Sequence, residues 1–174
     1  MNLSPGTGRR IWLFGGLRLE QDGEPITLPG GKVRSLLSRL ALPPLLPHSR
    51  DYLGDLLWPD APLERVRPNF ANTLYQLQQA LSPEWLVVDN QTVGLRVGDN
   101  LWVDVVQFAE WGATPEHHPH HLNRWQSAAA LYTGDLLPDL YDDWILGPQV
   151  AWREQYLNTL SQLGLALEER HDYH

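Results

Sequence analysis

The sequence predicts an α+β domain over residues 10–100, preceded by a flexible N-terminus at 1–9 and followed by an all-α segment over 101–174. Three observations predict it. Short alternating apolar segments fill residues 10–28. Three apolar stripes at helical spacing follow between Lys32 and Leu81, and a strand–turn–strand pattern comes after them. The charge divides at the same place: residues 1–100 hold ten Lys/Arg and ten Asp/Glu, whereas 101–174 hold three Lys/Arg and eleven Asp/Glu. The second part therefore carries the whole net charge of −8, which points to two modules with different partners.

Residues 10–28 read as a small antiparallel sheet of about three strands. Ile11 and Leu13, then Leu17 and Leu19, point one way, with Gly15-Gly16 turning the chain between them. Asp22-Gly23 is a tight hairpin signal before Ile26 and Leu28. Gly30-Gly31 ends this pattern, and from Lys32 the period becomes helical: Val33, Leu36, Leu37, Leu40 and Ala41 form one stripe, closed by Pro43-Pro44. Ser49 suits the N-cap of a second helix that carries Tyr52, Leu53, Leu56 and Leu57 and stops at Trp58-Pro59. A third helix is expected to start near Pro68, to bury Phe70, Leu74, Leu77 and Leu81, and to end at Pro83. Trp85 to Val88, the turn Asp89-Asn90-Gln91-Thr92, and Val93 to Val97 then make a hairpin. Strands, three helices and a hairpin in this order are the plan of a winged helix-turn-helix with an N-terminal antiparallel sheet.

After Asn100 the chain is expected to become helical and acidic. Val105, Phe108 and Ala109 begin one helix, and Glu116 to His121 interrupt it. Trp125, Ala128, Ala129 and Tyr132 define a second helix that Gly134 ends. Residues 149–170 form the longest helix, with Trp152, Tyr156, Leu160, Leu163 and Leu167 on one face. Helical pairs of this kind suggest the start of a repeat solenoid.

Composition excludes several classes of function. The absence of cysteine removes disulfides, thiolate metal sites and cysteine nucleophiles together. No apolar signal core follows the polar first ten residues, and no apolar run approaches the ~20 residues of a membrane helix, so a cytoplasmic protein without a membrane partner is expected. Gly6-Thr7-Gly8 and Gly30-Gly31-Lys32 lack phosphate-loop spacing. Asp135, Asp139, Asp142 and Asp143 lack a metal-loop pattern and read as a solvated acidic stretch. His117, His118, His120 and His121 read as a flexible loop that titrates near neutral pH. No enzyme, metal or cofactor is expected. The eight tryptophans belong to packing, with Trp102 and Trp111 expected to fix the two halves together.

Several segments resemble a known family. Arg10 to Gln21, Gly30 to Leu37, and Ser49-Arg50-Asp51 through Leu56-Leu57-Trp58-Pro59-Asp60 are similar to the DNA-binding domain of bacterial antibiotic-regulatory-type transcriptional activators, an OmpR-type winged helix. Asn69 to Leu81 resembles that family's recognition helix. Asp104 through Phe108, and Ala128 to Leu137 with Tyr132-Thr133-Gly134, resemble the start of its bacterial transcriptional activator domain (BTAD), which is tetratricopeptide-like. In the family that domain continues past a position such as Glu169-Arg170-His171, so a fragment of a longer regulator is expected.

The resemblance implies double-stranded DNA as partner and recruitment of RNA polymerase as role. On the third helix, Asn69, Asn72, Thr73, Gln76 and Gln79 would be the outward positions, and asparagine and glutamine can make paired hydrogen bonds to adenine. Arg65 and Arg67, just before the helix, would hold phosphates. Arg96 with Asn90 and Gln91 would form the wing, and Lys32, Arg34 and Arg50 would touch the DNA backbone from neighbouring elements. Where the family carries arginines near the end of the recognition helix, this chain has Gln76, Gln78 and Gln79. Fewer phosphates would be neutralised, and a homodimer on repeated half-sites would compensate. The alternative is a degenerate winged helix that serves as a protein-interaction or dimerisation module without binding DNA.

Overall fold

The computed structural model describes residues 7–172. Strands β1 (Arg9–Trp12), β2 (Arg18–Gln21) and β3 (Glu24–Ile26) form the expected antiparallel meander. Asp22 and Gly23, at φ 53° and 85°, make its tight turn, because a hairpin of this type needs positive φ at both central residues. Residue 9, expected to close the N-terminal tail, belongs to the sheet. Residues 1–6 lie outside the described residues, but Arg9 opens β1 and is buried. Its guanidinium donates to the carbonyls of Glu84 and Arg96 and to Asn100 Oδ1, which ties the sheet to the hairpin region.

Helix α1 (Gly31–Ala41) buries the predicted stripe. The short strand β4 (His48–Ser49) leads into α2 (Arg50–Leu57), where the Ser49 hydroxyl accepts the Tyr52 amide at 3.1 Å, the expected cap. Helix α3 (Leu63–Ala80) starts five residues before the predicted Pro68, so that proline sits inside it. Strands β5 (Leu86–Val88) and β6 (Thr92–Leu95) form the predicted hairpin, and β4 adds to it in the order β4-β6-β5.

The chain does not turn helical directly after Asn100. Leu101–Val103 forms β7, which pairs in parallel with β1 and completes a four-stranded sheet of order β3-β2-β1-β7. A three-residue strand whose partner lies about ninety positions away leaves no local periodicity to read. Helices α4 (Asp104–Gly112), α5 (His121–Leu131) and α6 (Leu146–Asp172) follow, with a 3-10 turn at Asp143–Ile145. Of the face predicted for the last helix, Trp152 is buried but Leu160 is exposed. No helix among the described residues is long and apolar enough to cross a membrane.

One apolar core runs from the sheet into α6, and the β1–β2 turn carries it across. Phe14 is buried against Tyr132, Phe108 and Trp152, with ring centroids 4.8, 5.5 and 5.8 Å away. Gly15 allows this approach. Its φ is 75°, and a Cβ there would meet Thr133 Oγ1 at 2.9 Å. Trp102, expected to hold the halves together, instead lies in β7 with its ring 5.5 Å from Trp12. Phe14 does the joining, and Trp111 is half-buried against the core.

Asp104, at the start of α4, is fully buried. Its carboxylate accepts the amides of Leu13, Phe14 and Val105 at 2.7–3.0 Å. Burial pushes its pKa up to about 6, against the pull of those three amides. Asp104→Ala would leave three buried N–H groups without an acceptor. We expect it to lower the unfolding free energy by about 2–5 kcal/mol in urea titrations, and an unchanged midpoint would contradict this. The pH dependence has a definite sign. The folded value lies above the ordinary 3.8, so the folded chain binds this proton more tightly than the unfolded one. That stabilisation is complete below 3.8 and is lost as pH rises through about 6. Relative to Asp104→Asn, the native chain should lose about 1–3 kcal/mol between pH 4 and 7, and parallel stability curves would refute the assignment.

Candidate nucleic-acid interface

The helix-turn-helix angle is set where α2 crosses α3. A Cβ on Gly54 would come within 2.7 Å of Val66 Cγ1, so the crossing requires glycine. Val66, Phe70, Thr73, Leu74 and Leu77 of α3 face inward. Thr73 is therefore not an outward position: at 100° per residue it falls about 20° from Val66 at the edge of the buried arc, with 6% exposure. Asn72, Gln76 and Gln79 are exposed and Asn69 is half-buried. Among the described residues none of these four side chains makes a hydrogen bond, so their amide groups are available.

The early start of α3 moves Arg65 and Arg67 from a preceding loop into its first two turns, where both are exposed. Two residues apart on a helix, they face opposite flanks. Arg67 borders a cleft of about 520 Å³ between α2, α3 and the hairpin turn, together with Arg50, Asp51, Asn90 and Gln91. Arg65 and Asn69 border a shallower depression of about 470 Å³ shared with Lys32, Trp58 and Asp60. Arg67 pairs with Asp51 at 3.7 Å rather than with Asp60 or Glu64, and both partners are well exposed, so the pair holds it weakly.

The hairpin turn is ordered locally. Asp89 Oδ1 accepts the amides of Gln91 and Thr92 at 2.7 Å each, and Asp89 Oδ2 accepts the Thr92 hydroxyl. These bonds hold the Asp89 carboxyl below the usual carboxylate range. Arg50 anchors the turn: its backbone amide donates to the Gln91 carbonyl at 2.8 Å and its guanidinium to the Asp89 carbonyl at 2.6 Å. Asn90 and Gln91 thus project beside the N-terminal half of α3. Arg96 does not join them. It follows β6 at the other end of the hairpin, where its guanidinium donates to the Leu86 carbonyl at 3.3 Å.

The cations placed beside the helix by sequence reasoning are already engaged inside the chain. Lys32 pairs with Asp142 at 2.5 Å and donates to the Leu57 carbonyl at 2.6 Å, and Arg34 pairs with Asp139. The acidic stretch read as solvated is thus partly folded onto α1, and Asp135 pairs with Arg153 at 2.5 Å. Sequence reasoning missed Tyr75, which is 60% exposed on α3. Its register was available: Tyr75 is three residues from Asn72 and four from Gln79, opposite the Phe70–Leu74–Leu77 stripe. In the histidine-rich loop, His118 Nδ1 accepts the His120 amide at 3.1 Å. Among the described residues no group of three or more His, Cys, Asp or Glu is placed to hold a metal ion.

No family model and no curated protein sequence matches the chain. Its fold is similar to that of Mycobacterium tuberculosis EmbR, solved in complex with a low-affinity phosphopeptide, with a TM-score of 0.78 and 21% sequence identity over 91% of this chain. The match takes in 45% of the EmbR chain, so this chain spans under half of that protein's length. At that identity the likeness is one of fold: a mixed α/β portion with an N-terminal sheet, then a helical portion.

Arg50→Ala should release the hairpin turn while leaving α2 capped by Ser49. Amide exchange at residues 90–92 is expected to speed up by about tenfold with no change in α1, and unchanged protection there would show that Asp89 alone orders the turn.

Proposed function

We propose that the chain is the DNA-binding and helical part of a transcriptional regulator, docking α3 against promoter DNA and using the acidic helical segment for contacts with other proteins. One observation carries this reading. An exposed helix presents Asn72, Gln76 and Gln79 with uncommitted amide groups, beside a fixed hairpin turn and between two arginines. A helix of that size fits the major groove, and its amides match the donor–acceptor pair of adenine. Tyr75 would add an apolar and hydroxyl contact on the same ridge, and Arg65 and Arg67 would reach phosphates on either flank. The fold shared with EmbR and the sequence resemblance to antibiotic-regulatory-type activators support the reading. RNA polymerase as the partner of the helical half, a cytoplasmic location and a homodimer on repeated half-sites belong to the same proposal.

A second reading has a specific observation behind it. Lys32, Arg34 and Arg50 are engaged within the chain, and Asp51 and Asp55 line the cleft beside Arg67. Such a surface also suits a winged helix that has become a protein-interaction or dimerisation module.

Titration of the chain with labelled promoter fragments at ~50 mM salt separates the two. We expect measurable binding, and Arg65→Ala/Arg67→Ala should weaken it by about tenfold while lowering the log–log salt slope by about 1–2. Equal binding by the native chain and the double variant would remove those arginines from the interface. Absence of binding to every duplex would favour the interaction module.

A further inference from the structure

Helix α1 begins without an anion of its own. Gly30 caps it without a side chain, no acidic residue lies in its first turn, and open space surrounds both Gly30 and Gly31. Lys32 and Arg34 make this end strongly cationic, and a helix N-terminus adds to that. The anions that answer it come from more than a hundred residues away: Asp142 for Lys32 and Asp139 for Arg34. Lys32 also borders the depression that holds Arg65 and Asn69, so it stands at the edge of the α3 surface.

We propose that Asp139 and Asp142 are an acidic latch that occupies Lys32 and Arg34 in place of DNA phosphates, so that DNA has to compete with the chain's own carboxylates. The inference rests on the nucleic-acid reading of α3. Three features support it. The cations are long, flexible side chains, exposed by 41% and 30%, and are able to swing outward. The carboxylates cannot follow, because their loop is pinned on both sides. The Leu137 amide donates to the Leu13 carbonyl at 2.9 Å, and Trp144 Nε1 donates to Ser35 Oγ at 2.9 Å. The Arg34–Asp139 pair is also open to solvent, which makes it weak enough for a phosphate to displace and sensitive to salt, whereas Asp142 is only 16% exposed and the Lys32 pair is the firmer of the two. The helical half thereby sets the affinity of the winged helix through carboxylates that stay in place while the cations swing between them and phosphate.

The test compares the native chain with Asp139→Asn/Asp142→Asn on a labelled mixed-sequence duplex between ~50 and ~200 mM KCl. The variant should bind about 5–30-fold tighter at low salt, with a log–log slope steeper by about 1–2. Adding Lys32→Gln/Arg34→Gln to it should abolish that gain. Glu154→Gln/Glu168→Gln removes the same charge from exposed positions of α6 and should change affinity by less than about twofold. If both chains bind with one affinity and one slope, or if the α6 variant gives the same gain, the latch is overturned and the DNA reading stands. If neither chain binds the duplex at ~50 mM, the DNA reading fails and the latch fails with it. Should the double variant unfold, as urea would report, Asp139→Asn alone must show the same sign with about half the slope change.

Discussion

Leu13 and Phe14 leave β1 with two amides that no strand partner reaches, and the carboxylate of Asp104 takes both while also accepting the Val105 amide. An unpaired buried carboxylate would be expensive, and so would orphaned amides. Placed together, with the first turn of α4 favouring a negative charge, they satisfy one another. This joint fixes the direction in which the chain leaves β1. Phe14 is thereby aimed into the helical half, where the aromatic rings of Phe108, Tyr132 and Trp152 receive it. The Gly15 amide reaches the Asp135 carbonyl, and the Thr133 hydroxyl reaches the Phe14 carbonyl. The sheet and helices are therefore continuous through one turn of backbone rather than linked by a tether.

That continuity decides what the acidic half can do. A loosely tethered acidic domain would repel DNA only through a screened, averaged field. Here residues 136–145 are held against α1 at fixed points, and Trp144 reaches Ser35 in the middle of that helix. The carboxylates of Asp139 and Asp142 are consequently delivered to two particular cations. Charge asymmetry between the halves, visible as a bulk property of the sequence, becomes a pair of specific contacts in the structure.

Much of the fold is written in local pattern. The stripes of α1 and α2, the Ser49 cap, the Asp22-Gly23 turn and the hairpin after Trp85 each follow from residues within a few positions of one another. What escaped was non-local or overridden. Strand β7 depends on β1, and β4 on β6, so neither has a periodicity of its own. Pro68 reads as a start signal, but α3 begins at Leu63 and tolerates the proline. The earlier start leaves the faces unchanged: the Phe70–Leu74–Leu77 stripe already placed Thr73 inward and Tyr75 outward, and Asn72, Gln76 and Gln79 lie outward as expected. Nothing adjacent to Lys32 or Arg34 betrays Asp142 or Asp139, because sequence distance conceals which charges meet.

The balance left on the α3 surface has a consequence for how it would discriminate. Phosphate contacts supply affinity without sequence information, whereas amide contacts to base edges supply discrimination at smaller gain. A surface with Asn72, Gln76 and Gln79 outward, an Arg65 unpaired among the described residues, an Arg67 held only weakly by Asp51, and its neighbouring cations held internally would be shifted toward the second kind. Its grip on arbitrary DNA would fall faster than its preference among sequences. On the proposed reading one such head would bind weakly, and two on adjacent half-sites would gain an effective concentration that restores occupancy without adding a cation. Weak heads and internal carboxylates would, on that reading, be parts of one arrangement, in which pairing of chains and outward movement of Lys32 and Arg34 would both act on the same small electrostatic term.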